Sequence, residues 1–225
     1  MGSEPVTDRF ASQRRALIEK LREKGIRDLE VLRAFDLVAR HEFIPAGVAH
    51  RSYEDSAVPI GFGQTASQPS LQALYMQLLR LEPSDRVLEI GTGCGFQTAV
   101  LAQLVENVYS IERLRPLAIR AREVLDRLRI SNVAILVGDG TIGWSRYAPY
   151  DAILVAAASP SVPEPLVEQL RVGGRMLVPV GARDSQSLLL VTRSDDGYDT
   201  EELLECTFVP LLGRFGWESD GKVEG

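Results

Sequence analysis

The stretch LEIGTGCGFQ, Leu88–Gln97, decides the fold of this chain. A short apolar run, RVLEI, ends in glycines at 91, 93 and 95 and gives way to FQTAVLAQL, which carries the apolar spacing of a helix. A strand that turns into a helix through three glycines is what a sequence needs where backbone must approach a ligand closely and side chains would obstruct it. A dinucleotide fingerprint places its third glycine one position later, where Phe96 stands. The loop alone is therefore equally a tight strand-to-helix turn, and its surroundings must choose.

Downstream, apolar strands alternate with amphipathic helices. NVYSIE is a strand, and Leu114 to Leu128 a helix with Leu117, Ala121, Leu125 and Leu128 on one face. NVAILVGDG, DAILVAAA and RMLVPVG supply three more strands, and PEPLVEQLRVGG reads as a helix opened by proline and closed by glycine. SLLLVTR, a turn at SDDG, and LLECTFVPL predict a terminal antiparallel pair. Such alternation predicts an α/β, doubly wound, mostly parallel sheet, its strands apolar throughout because helices cover both faces. Residues 84–193 form the ligand-binding core, 199–213 the C-terminal strand, and the polar residues 214–225 a frayed, flexible tail.

Upstream, Asp8 to Arg40 is helical: Leu17, Ile18 and Leu21 repeat at turn spacing, GIRD interrupts, and Leu29, Leu32, Phe35 and Leu37 resume. A further helix spans Leu71 to Leu81, opened by Pro69, and the stretch between is irregular. Residues 8–81 are thus an N-terminal helical elaboration with a loop segment, and 1–225 is expected to form one domain.

With 225 residues, 45% of them hydrophobic, and a mean hydropathy of −0.02, the chain has the composition of an ordinary globular protein. It offers no apolar run of the ~20 residues a membrane helix needs and no apolar signal core near Met1, so a cytoplasmic location is expected and no membrane partner. Its 25 basic residues against 31 acidic give −6, with no basic cluster interleaved with aromatics, which argues against nucleic acid. Cys94 and Cys206 follow no metal spacing and are expected as free thiols. His41 and His50 are the only histidines, so no metal site or serine-histidine triad is expected.

The acids around the glycine loop narrow its ligand. Glu89 precedes it; Glu112 ends the next strand ~20 residues on, where an acid binds ribose hydroxyls; Asp139 ends the third. Three carboxylates around one crevice repel a pyrophosphate but suit a cationic ligand that lacks phosphate. S-adenosylmethionine (AdoMet), with its sulfonium, is such a ligand, and VGDG sets Asp139 and the Gly140 N–H for its adenine. The fold expected is then the Rossmann-like one of AdoMet-dependent methyltransferases.

One segment remains: GFGQTASQPSLQ, Gly61–Gln72, inside a run from Ser56 to Leu79 that carries no charge. It is too rich in turn formers for a core element. Together with GIRDLEVLRAFDLVARHEFIP, VLEIGTGCGFQ, VYSIER, VGDG, PYDAILVAAASPSVPEPLVEQLRVGGRMLVPVG and FVPLLG, it makes the chain, from about Ile18 to Gly216, resemble the protein-L-isoaspartate O-methyltransferases. The resemblance implies methyl transfer from AdoMet to the free α-carboxylate of L-isoaspartyl residues in proteins and peptides, leaving S-adenosylhomocysteine, by a protein expected to be a monomer. It implies that QTASQP folds over donor and substrate, that Ser67 is the active-site residue, and that Gln64, Thr65, Ala66, Gly91, Thr92, Gly93 and Arg113 join Glu89, Glu112, Asp139 and Gly140 around the cofactor. Ala66, Ser67 and Val209 would meet the substrate, the backbone around Val209 pairing with an extended peptide. Departures from the family pattern are Ala66 for isoleucine, Cys94 for serine and Ser70 for a larger residue expected to roof the site.

An isoaspartyl carboxylate, with a pKa near 4, arrives ionised at pH 7, so no general base is required and an uncharged cover suits the reaction. Ser67 would orient the carboxylate, although a role capping the helix that begins at Pro69 is also open. Two other functions fit the same fold: a carboxyl methyltransferase dedicated to one peptide or small acid, and a non-catalytic AdoMet-binding module.

Overall fold

The computed structural model describes residues 9–218. Two helices open the chain: α1 (Ala11–Glu23) and α2 (Leu29–Leu37), the latter capped by the Asp28 carboxylate, which accepts the N–H groups of Glu30 and Val31. The interval read from sequence as irregular holds two short 3₁₀ turns and a hairpin, β1 (Val58–Gly61) and β2 (Gln64–Ala66). Gly61 and Gly63 take φ of +95° and +68° around Phe62, which is what lets so short a connection reverse the chain. Helix α3 (Pro69–Leu79) follows with its proline at the first turn.

The core then alternates: β3 (Arg86–Ile90), α4 (Phe96–Leu104), β4 (Asn107–Glu112), α5 (Arg115–Arg127), β5 (Val133–Val137), β6 (Tyr150–Val155), α6 (Glu164–Val167), β7 (Leu170–Gly181), β8 (Gln186–Ser194) and β9 (Gly197–Cys206). The sheet order is β5-β4-β3-β6-β7-β8-β9, parallel from β5 to β7 and antiparallel for the last two pairs. The chain winds outward from β3 to β5, returns to β6 on the other side of β3, and so leaves a crevice at the carboxyl ends of these strands.

Two apolar layers enclose the sheet. Val87, Val108, Ala152, Leu154 and Leu177 face one cluster with Leu17, Leu21, Phe35, Met76 and Phe96 from the helices; Leu88, Ile90, Ile153, Val155 and Met176 face the other, with Leu166, Val167 and Leu211. The alternation along β3 sends Glu89 to the same side as Val87, toward α4.

Three boundaries differ from the sequence reading. The PEPLVEQLRVGG helix is only one turn, Glu164–Val167, because Gln169 turns its side chain back to Ile142, Trp144 and Pro165, and Leu170 already pairs with Tyr150 as β7 begins. The final strand stops at Cys206; Val209 and Leu211 instead flank Ala158, which donates to the Val209 carbonyl at 2.8 Å and accepts the Leu211 N–H at 2.7 Å. Residues 214–218 are not frayed: the Trp217 N–H bonds the Leu211 carbonyl and the Arg214 N–H the Asp139 carboxylate, while 219–225, like Asp8, lie outside the described residues.

Candidate active site

A cleft lies over the carboxyl ends of β3, β4 and β6, roofed by the β1–β2 hairpin and the Ser67 turn. It is open to solvent at its mouth and lined along both walls by the glycine loop and the Ser67 turn. Gly91 and Gly93 line it with φ of +97° and +55°. Gly95 serves packing instead. A Cβ there would stand 2.9 Å from Cβ of Ala121, so its bareness lets α4 begin against α5. Phe96, at the position a dinucleotide loop reserves for glycine, is buried against Phe35 and Phe43.

The three acids have three fates. Glu112 lines the cleft, one carboxylate oxygen accepting the Gly93 N–H and the other the Leu114 N–H, at 2.8 and 2.9 Å. Each oxygen keeps a lone pair for a ribose hydroxyl. Asp139 stands at the rim, in a shallower hollow with Arg113, Leu212 and Trp217 that adjoins the cleft. One of its oxygens takes both the N–H and the hydroxyl of Thr141 and the other the Arg214 N–H. Burial opposes its ionisation, but these bonds outweigh burial and hold the carboxyl below its ordinary range. Glu89 does not reach the cleft. It is fully buried behind the loop, accepting hydrogen bonds from Gln97, Thr98 and Ser110, and burial pushes its carboxyl up to about 7. Strand alternation is the reason: a residue flanked by Leu88 and Ile90, which both face the other layer, must point into α4.

On the opposite wall, Gln64, Thr65, Ala66 and Ser67 line the cleft, as do Thr92, Arg113, Gly140 and Val209. Ser67 is not the cap of α3. The cap position belongs to Gln68, no side chain caps there, and the buried Asp55 instead accepts the Ser70 N–H at 2.8 Å while pairing with Lys24. The Ser67 hydroxyl is left to the cleft, whereas Ser70, bonded to Gln68 and Asp55, does not line it and roofs nothing. The Val209 carbonyl is already bonded to Ala158, so an added peptide strand would have to use other groups of this segment. Neither histidine lines the cleft; His41 bonds the Tyr53 hydroxyl and stacks on Phe10.

Sequence reasoning missed what holds the serine in place. Arg40 is completely buried, its guanidinium over the Phe96 ring, donating at 3.1 Å to the Ser67 carbonyl and at 3.0 Å to Gln72. From there a buried line of side chains runs on: Gln72 donates to Gln97, Gln97 to Glu89, and Glu89 is joined through Ser110 to Thr92 in the glycine loop. Nothing in the local sequence marks Arg40, because arginine is ordinarily a surface residue and its burial depends on α3 and α4 closing over it.

A crevice at a topological switch point, a glycine loop, an acid placed for a ribose and an uncharged roof define an AdoMet-dependent methyltransferase. The model of the family described as Protein-L-isoaspartate(D-aspartate) O-methyltransferase (PCMT) matches residues 12–216, and the chain belongs to this family. The protein-L-isoaspartate O-methyltransferase of Dictyoglomus thermophilum is 46% identical over 94% of this chain and 96% of its own. Among solved structures, a protein-L-isoaspartate O-methyltransferase superposes with a TM-score of 0.84 at 33% identity, covering 90% of this chain and 67% of its own. A Plasmodium falciparum PCMT in complex with S-adenosyl-L-homocysteine gives 0.78 at 27% identity, covering 88% and 98%.

Proposed function

We infer that this chain methylates the free α-carboxylate of L-isoaspartyl residues in damaged proteins and peptides, using AdoMet, and so initiates their repair through a methyl ester and succinimide. The observation that carries the reading is the Ser67 turn, with its uncommitted hydroxyl and uncharged neighbours, set across one cleft from Glu112 and the glycine loop.

The cleft fits the cofactor by its donor set: Glu112 keeps lone pairs for two ribose hydroxyls, Asp139 keeps one on the oxygen bonded to Arg214, and the bare Gly91 and Gly93 admit close approach. When bound, AdoMet supplies an electrophilic methyl group. What remains for the protein is to hold a carboxylate in line and keep water away, a positioning effect of roughly 7–11 kcal/mol in favourable cases. The Ser67 hydroxyl donates to the substrate carboxylate and orients it. Ala66 and Thr65 cover the donor side, and the Val209 side chain with the free groups of its segment meets the peptide. No base is required, because the nucleophile is already an anion, and the absence of a histidine from the cleft lining agrees with this.

The finer assignments belong to the same reading. We take the chain as one catalytic unit, a monomer working in the cytoplasm without nucleic acid or membrane. Its −6 charge and the acidic row on edge strand β9, with Asp199, Glu201, Glu202 and Glu205, disfavour pairing with another sheet edge.

The deciding experiment is a radiolabelled-methyl assay on twin peptides that differ only in L-isoaspartyl against L-aspartyl. An isoaspartyl carboxylate sits on the α-carbon with the chain continuing through the β-carbon, and misplacement by about 1 Å costs ~100-fold where positioning is the main source of rate. A preference of about 100-fold or more is expected. Comparable rates would point to an enzyme for some other acid, and AdoMet binding without transfer to a binding module.

A further inference from the structure

The molecule's least ordinary charge is that of Arg40. Among the described residues no carboxylate lies within ion-pairing distance of it, although it is wholly buried and its Nε has no hydrogen-bond partner. A guanidinium stays protonated even so, and an uncompensated cation in a protein interior is costly unless it serves something. The groups that face it offset its charge only in part, the Asp55 carboxylate acting from beyond ion-pairing distance. Asp55 is committed to Lys24 at 2.9 Å and to the Ser70 N–H; Cys94 is a half-buried thiol in the cleft wall; Tyr53 is a phenol; Phe96 offers only its ring, at 4.9 Å. Along the hydrogen-bonded line the first carboxylate is Glu89, two amide side chains away. What Arg40 does touch is the carbonyl of Ser67, from the side away from the cleft.

We propose that Arg40 is the positioning residue of the carboxylate site, fixing the Ser67 turn through its carbonyl and lending the substrate end of the cleft the positive field that draws an anion to the Ser67 hydroxyl. The proposal rests on the reading that Ser67 receives the substrate carboxylate. It explains how an uncharged roof binds an anion: the charge stands one peptide unit behind it, desolvated and therefore far-reaching, and no mobile cation competes for the methyl donor's place. It also has a kinetic signature. A carboxylate loses its charge as it becomes an ester, so the field favours the bound anion at least as much as the transition state and acts on KM more than on kcat.

Three variants of the full-length protein test this. Arg40→Met removes charge and grip with little change of volume, and Gln72→Glu keeps Arg40 but sets a carboxylate on its guanidinium. In both, KM for an isoaspartyl peptide is expected to rise on the order of tenfold with kcat within about threefold, the effect of a charge acting through a few ångströms of protein. Arg40→Lys keeps the charge on one nitrogen in place of three, and is expected to hold both KM and kcat within about threefold of the parent. Calorimetry with AdoMet and S-adenosylhomocysteine, which differ by a methyl group and a positive charge, supplies an independent readout: affinity should shift toward AdoMet, relative to the neutral product, by several-fold when the Arg40 charge is removed or paired. Equal losses for both ligands, or a fall in kcat with KM unchanged in Arg40→Met and Gln72→Glu, would overturn the proposal. If Arg40→Met does not fold, Arg40→Gln, which loses the charge but keeps an amide donor, takes its place, because Gln72 itself lines the cleft and a carboxylate there also acts on the ligands directly. If the parent protein binds AdoMet but methylates no isoaspartyl peptide, the functional reading fails, while the ligand ratio still decides whether the Arg40 charge is felt in the cleft.

Discussion

The Glu112 carboxylate accepts the backbone N–H of Gly93 at 2.8 Å, so the acid that ends one strand also pins the glycine loop that ends its neighbour. Glu112 and the glycine loop are therefore one unit. Glu112→Ala removes both the anchor and the hydroxyl acceptor and should weaken AdoMet binding by about 1.5–3 kcal/mol, the range for hydrogen bonds to a charged group. Titration calorimetry measures this directly; an unchanged affinity would mean the nucleoside lies elsewhere.

Asp139 joins the third strand's end to the C-terminal segment, through the Arg214 N–H on one oxygen and Thr141 on the other. We expect Asp139→Ala to act twice. AdoMet binding should weaken by about 1.5–3 kcal/mol, and the amides of Arg214 and Phe215, the second of which bonds the Thr141 hydroxyl, should exchange faster. Hydrogen exchange that stays at the parent rate at both amides would show that the segment is held by Trp217 and Leu211 alone.

The Ser67 hydroxyl caps no helix, and the turn is held by its carbonyl instead. Ser67→Ala should therefore leave the melting temperature and AdoMet affinity nearly unchanged, while kcat on an isoaspartyl peptide falls by about 10- to 1000-fold. A variant that loses stability and keeps its turnover would return Ser67 to a structural role.

Burial raises the Glu89 carboxyl from 4.5 to about 7, against the hydrogen bonds from Ser110, Thr98 and Gln97 that favour its charge. The folded state then keeps a proton that the unfolded chain has already released, so this residue's contribution is fully present below its unfolded pKa of 4.5 and fades as pH rises toward 7. The loss is on the order of 3 kcal/mol across that window. Glu89→Gln cannot titrate. Urea unfolding at pH 5 and at pH 8 should show a stability difference smaller in the variant than in the parent by a sizeable part of that amount, and equal differences would mean that Glu89 is ionised throughout.

Much of this was written into the chain locally. Apolar runs bounded by glycines and prolines marked β3, α4, β4 and α5 to within a residue or two, because strand and helix periodicities are properties of neighbouring residues. The glycine loop, Glu112 and the uncharged stretch through Ser67 were legible for the same reason: each chemistry is carried by residue types at short spacing. The one-turn α6 was not, since it ends where the Gln169 side chain finds Ile142 and Trp144, partners more than twenty residues away. The difference between Glu89 and Glu112 also lay beyond the sequence. Both are acids at the end of an apolar strand, and only the sheet, by turning one toward α4 and the other toward the crevice, makes the first a buried strut and the second a ligand-facing group. Arg40 is the extreme case: a charge on a connecting turn reads as solvated until α3 and α4 close over it, and tertiary packing alone, by removing water from around a guanidinium 27 residues from Ser67, decides that it stands behind the Ser67 turn.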